Sequence, residues 1–287
     1  MSTTGEDTGA GTAGRNHETG RTGPDDSLYV LTAVLLTPAQ FPSVLGDDYP
    51  QACRALGLEP YAEGYGLVLG QDGAGARWTV AVSDVSLVAV AIAAWDCGME
   101  YDLSPREDSV VCALPGWPLA LSVAAPGLPA PHDPPSAPGD PAPLAPADTA
   151  AWGSAQRRLA ADEIALQWAS WRQQLGDDDF SASGAEPAPG AAAGRGPTLR
   201  GGVRGALADL ERYLEDPPPP GRIRSMFAPG GARLLRADGP GWSLVARTDD
   251  IAFVLLDERP QEVLPVGRGS RLPVLLAGLD AMAVRPG

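Results

Sequence analysis

The chain contains no lysine: all 21 basic residues are arginine. That absence excludes Schiff-base catalysis and the lysine-clamped phosphate loop. Histidine occurs only as His17, in a polar Gly/Thr-rich stretch, and His132, among prolines. Neither segment reads as folded, so Ser-His-Asp, Cys-His and histidine-built zinc sites, which need a packed imidazole, are not expected. Cys53, Cys97 and Cys112 form an odd set without a Cys-x-x-Cys pair. They read as free thiols, most simply in a reducing cytoplasm. The longest apolar runs, residues 28–36 and 85–95, fall short of the roughly 20 residues of a spanning helix. The first 26 residues are polar, so neither a secretory leader nor a lipid anchor is expected.

What abounds is Ala (46), Gly (35) and Pro (30), a usage that matches the codon bias of a very GC-rich bacterial genome. These residues divide the chain. Residues 1–26 carry almost no apolar side chain and read as a disordered tail. Residues 27–124 read as an α+β domain with a mainly antiparallel sheet. Its signals include a buried strand over 28–36, a short helix from Thr37-Pro38 toward Gly46, and a second over 50–56. Strands are expected over 65–69, 77–82, 110–114 and 119–123. Over residues 85–94 Asp84 could cap a helix, but Val85, Val88, Val90 and Ile92 favour a strand. The alternation of Trp95, Cys97, Met99, Tyr101 and Leu103 with polar residues or Gly has the period of a half-buried strand.

Nine prolines in residues 125–148 mark an extended linker. A long helix, capped by Asp148 or Thr149, is expected over 149–176. Ile164, Trp168, Trp171 and Leu175 fall on one stripe of it. That stripe packs either on the first module's sheet or on a partner, and these four residues are the candidate partner-binding set. Residues 177–202 read as a second disordered linker, in which Asp177-Asp178-Asp179 reads as solvated rather than metal-binding. A smaller α+β domain follows over 203–284. It holds an amphipathic helix from Val203 to Leu214, strands over 232–235, 242–246 and 251–256 with a turn at Asp238-Gly239, and a final helix over 272–282 capped by Ser270.

The two folded regions share a pattern. Asp72-Gly73 precedes the Trp78 strand and Asp238-Gly239 the Trp242 strand, each followed by Ser-Asp or Thr-Asp and more apolar residues. A duplicated α+β unit would produce this, and so would ordinary hairpin grammar.

No phosphate-loop, nucleophile-elbow or EF-hand pattern occurs. Asp84 and Asp249 close hairpins, and Asp96, Glu100 and Asp102 share a strand face that reads as solvated. Charge is uneven: residues 1–194 carry net −17 and residues 195–287 net +2. Arg222-Ile223-Arg224 with Arg233 and Arg236 is the densest basic cluster, too weak a footprint for nucleic acid beside a net charge of −15. The second half is therefore expected to dock, salt-sensitively, on the acidic first half or on an acidic partner.

Composition and motifs together predict a cytoplasmic, non-catalytic interaction, adaptor or regulatory protein, of which a chaperone is one form. Its partner is a protein, with no nucleic acid, membrane, metal or cofactor expected. The alternatives are a carboxylate-dependent, magnesium-assisted enzyme and an acidic mimic of nucleic acid.

Overall fold

A computed structural model describes residues 27–175 and 197–285. The predicted tail over 1–26 and the triplet Asp177-Asp178-Asp179 lie outside the described residues. The fold is α+β, with two antiparallel sheets of four and five strands and helices against them.

The first sheet runs β1 (Tyr29–Leu36), β2 (Tyr65–Gln71), β3 (Arg77–Val82), β4 (Val110–Pro115), each pairing with the next. A one-turn 3-10 helix (Ser43–Leu45) and α1 (Tyr49–Ala55) separate β1 from β2. The predicted helix from Thr37 toward Gly46 is thus only that single turn. Asp48 caps α1, its Oδ1 accepting from the Gln51 amide at 2.8 Å, with Pro50 inside the first turn.

The ambiguous residues 85–94 are helical. Asp84 accepts from the Leu87 amide at 3.0 Å and starts α2 (Val85–Asp96), whose cap and alanines outweigh its β-branched side chains. The predicted strand over 95–103 does not form. Gly98 sits at φ 72°, and the amides of Gly98 and Met99 bond the carbonyls of Trp95 and Ala94, a Schellman closure of α2. The apparent alternation is a helix end followed by an irregular crossing segment. Residues 119–123, also predicted as a strand, are irregular. α1 covers one face of the sheet, with Cys53, Leu67, Leu69 and Trp117 buried there, and α2 covers the other. A Cβ on Gly66 would lie 2.3 Å from a Val88 methyl, so that glycine sets how closely α2 approaches β2.

The proline-rich residues 125–148 are a docked strap rather than a free linker. Proline has no amide to donate, so the non-proline residues attach it. The Ala125 amide bonds Gln71 Oε1 (2.7 Å), His132 bridges Gly75 and Arg77, and the Leu144 amide bonds the Pro115 carbonyl (2.7 Å). Gln71, fully buried, also donates to the carbonyls of Gly75 and Pro129.

The expected long helix is shorter and broken. Asp148 forms a local turn with Ala150, and α3 (Ser154–Leu166) starts later, after Gly153. At Gln167 (φ −110°, ψ 32°) the chain turns before α4 (Trp168–Gln173).

The second sheet is an uninterrupted meander of β5 (Ile223–Phe227), β6 (Arg233–Gly239), β7 (Trp242–Arg247), β8 (Ala252–Leu256) and β9 (Val263–Val266). α5 (Pro197–Glu215) begins inside the predicted second linker and, with α6 (Leu272–Met282), covers one face. α6 starts after Arg271 without a side-chain cap, so Ser270 does not serve as one. β6 continues through Asp238-Gly239, and the turn is Pro240-Gly241, with Gly241 at φ 80°. Pro followed by a left-handed Gly is the arrangement a type II turn requires. The two Trp hairpins therefore correspond only locally: a helix separates β3 from β4, whereas β7 to β8 is a tight turn.

Candidate functional site

Ile164 and Trp168 are buried against Val245, Phe253 and Leu255 on the second sheet, and Trp171 and Leu175 pack at the same cluster. Trp168 meets Phe253 edge-on, ring centroids 5.2 Å apart. The stripe proposed as partner-binding is thus covered by the chain's own sheet, the second rather than the first.

The other half of that helix–sheet contact is charged. Strand alternation sends Arg224 of β5, Arg236 and Asp238 of β6 and Ser243 of β7 toward α3, whose first turns present Arg157, Arg158 and Asp162. Arg157 and Arg158 have no exposed side-chain surface. Arg157 reaches Asp47 (2.9 Å), Asp257 (2.5 Å) and Ser243 Oγ (2.9 Å). Arg158 pairs with Asp238 at 2.6 Å and donates to the Asp47 carbonyl. Arg222 reaches the other oxygen of the capping Asp48 at 3.1 Å. At this joint Asp48 and Asp162 thus meet Arg222, Arg224 and Arg236 across the division between residues 1–194 and 195–287, as the charge asymmetry suggested, whereas Arg157 and Arg158, which belong to the acidic part, pair the other way with Asp257 and Asp238.

Burial disfavours the charged form of every group here. At Asp238 that penalty is overcome by Arg158, Arg236 and Arg224 and by the Ser243 hydroxyl, and its carboxyl lies below the ordinary range. At Asp47 burial prevails over Arg157, and the carboxyl is raised; its Oδ1 has no hydrogen-bond partner. Arg224 and Arg236 stand directly opposite each other in the β5–β6 register. Like charges so placed repel, and Asp162 lies between them. It pairs with Arg236 Nη1, accepts from Ser43, and lies 3.7 Å from Arg224 Nη2. Phe41 lies between two guanidinium groups, 4.6 Å from Arg158 and 5.2 Å from Arg224.

This corner of the joint opens to a cavity of 340 Å³. Arg236, 3% exposed, Arg224 and Asp162 form its floor, Phe41 a wall, and Leu166 and Met226, 81% and 45% exposed, its mouth. The sequence marks Arg222, Arg224, Arg233 and Arg236 as its densest basic cluster. Sequence reading missed Arg157, Arg158 and Leu166. Leu166 is apolar yet off the Ile164–Trp168 stripe, and that mismatch was the available signal.

Of the carboxylates weighed as acid–base groups, Asp84 caps α2 and Asp249 pairs with Arg247 at 2.8 Å. Asp96, Glu100 and Asp102 are exposed. Among the described residues no three His, Cys, Asp or Glu side chains stand together as a metal site, and no helix is long and apolar enough to cross a membrane. No protein-family model matches the chain, and no curated protein or solved structure shows significant similarity to it.

Proposed function

We propose that the chain is a non-catalytic interaction protein that holds a partner polypeptide at the mouth of the cavity between Phe41, α3 and β5. One observation carries this reading: Leu166 and Met226, both largely exposed, flank a single opening with a buried charged floor. Single exposed apolar side chains are ordinary on a protein surface, whereas apolar groups gathered at a concave site mark binding. The carboxylate-enzyme alternative has less support. Asp47, Asp238 and Asp257 converge on arginines, and Asp96 and Asp102, which line one cavity, are exposed to solvent. The nucleic-acid mimic needs an acidic face, and Asp47, Asp48 and Asp162 are turned inward to arginine. We place the protein in the cytoplasm, because its three cysteines are free and Cys97 is exposed.

The test is a photo-crosslinking residue at position 166 in the producing organism, with position 274 as control. Val274 is 72% exposed on α6, on the far face of the second sheet. A discrete adduct from position 166, absent from position 274 and lost with Met226→Asp at unchanged melting temperature, is expected. Equal adducts from both positions, or none from 166, would overturn the reading.

A further inference from the structure

We propose that the cavity receives the C-terminal residue of the partner, its α-carboxylate on Arg224 and Arg236 and its apolar side chain against Phe41, Leu166 and Met226. This rests on the interaction reading and names what the partner must offer.

On the cavity floor Arg224 and Arg236 share the carboxylates of Asp162 and Asp238, and Asp238 is held as well by Arg158, which has Asp47 as a further acidic neighbour. Among the described residues, Arg224 Nε and Nη2 and Arg236 Nε have no hydrogen-bond partner. Those three nitrogens are closed off from solvent, so an incoming carboxylate meets the accessible edge of the Arg224 side chain, which is 15% exposed, and offsets the cost of the buried cation pair by charge. Burial, with Arg158 and Arg236 beside it, pushes Arg224 down to about 9, so it is still a cation at neutral pH, and its nearest carboxylate, Asp162 at 3.7 Å, is already paired with Arg236.

Size and shape narrow the ligand. The cavity has the size of one or two side chains, 340 Å³, rather than the length of a groove that a helix would lie along. A chain end fits, and it is the only part of a polypeptide that carries a carboxylate and an apolar side chain on one carbon. An internal Asp or Glu brings main chain in on both sides and separates the acid from any apolar group. Capture of a terminal carboxylate by fixed N–H donors is a known mode of peptide recognition.

The experiment uses the full chain and two matched hexapeptide libraries randomised at the last three positions, one ending in a free carboxylate and one amidated. Retention of free-acid peptides ending in Leu, Met, Val or Phe is expected, with at least tenfold weaker retention of the amides. Arg224→Met should lose this discrimination while keeping the wild-type circular dichroism. Ala165→Phe, which adds bulk to the cavity lining, should lose all retention at an unchanged circular dichroism spectrum, and Arg268→Gln should behave as wild type. Equal retention of acids and amides overturns the carboxylate role. Hexanoate displacing the peptides at equal concentration overturns the polypeptide occupant in favour of a small acid. If neither library is retained while the crosslink from position 166 persists, this inference fails and the interaction reading stands.

Discussion

At the scale of single residues, the joint makes opposite demands on its two signs of charge. Asp238 is fully buried and serves three arginines, so Asp238→Asn leaves Arg158 buried without its partner. Removing one member of such a pair costs about 3–5 kcal/mol, and urea denaturation should show it. Arg224 is the reverse case, a buried cation short of anions. Replacing a poorly compensated buried charge by an apolar side chain is often neutral or stabilising, so Arg224→Met should raise stability by on the order of 1 kcal/mol. A loss of several kcal/mol instead would show that Arg224 is satisfied as it stands. An arginine retained at a cost to stability is what a binding role predicts.

At the scale of elements, periodicity was legible where it was local. The helix over 50–56 and the leucines of α6 fall close to where they are expected, whereas the Asp48 cap goes unread and Asp84 stands beside a favoured strand reading. The failures have physical causes. Gly98 converts an alternating stretch into a helix closure, and the prolines of 125–148 disguise a strap held by its few amides. The candidate stripe was found correctly as a stripe, but sequence could not say what covers it. Trp168→Ala should now read as a core mutation, costing about 3–5 kcal/mol and lowering the melting temperature. Leu166→Asp should leave that temperature nearly unchanged. If Trp168→Ala folds with wild-type stability, the helix–sheet contact is not the core described.

At the scale of the whole molecule, the uneven charge was legible and its sensitivity to salt was not. Arg157, Arg158 and Asp238 are buried, and salt screens such pairs poorly. The radius of gyration should therefore be the same in 1 M as in 0.1 M salt (reference concentrations for Debye screening), contrary to the expectation from sequence. Acid is the effective lever. Asp238, with its carboxyl lowered in the fold, contributes stability above the unfolded value of about 3.9, and that stability is lost as pH falls through the folded value. Asp47, raised, has the opposite sign: it favours the fold at low pH and loses that contribution as pH rises through its folded value. Melting temperature should hold or rise slightly from neutral to about pH 4.5 and drop below about 3.9. A steady decline starting at neutral pH would place the sensitive group elsewhere.

The same joint bears on how the chain reaches its fold. Asp47 waits 110 residues for Arg157, and Asp48 waits 174 for Arg222. On the ribosome the first sheet emerges long before the cations that neutralise its loop, with a docked strap already using up the intervening chain. Contacts so distant in sequence are slow to close. The halves, although each has its own sheet, should complete folding together, and residues 27–124 made alone should keep the Asp48 cap of α1 but leave the carboxylates of Asp47 and Asp48 without their arginines.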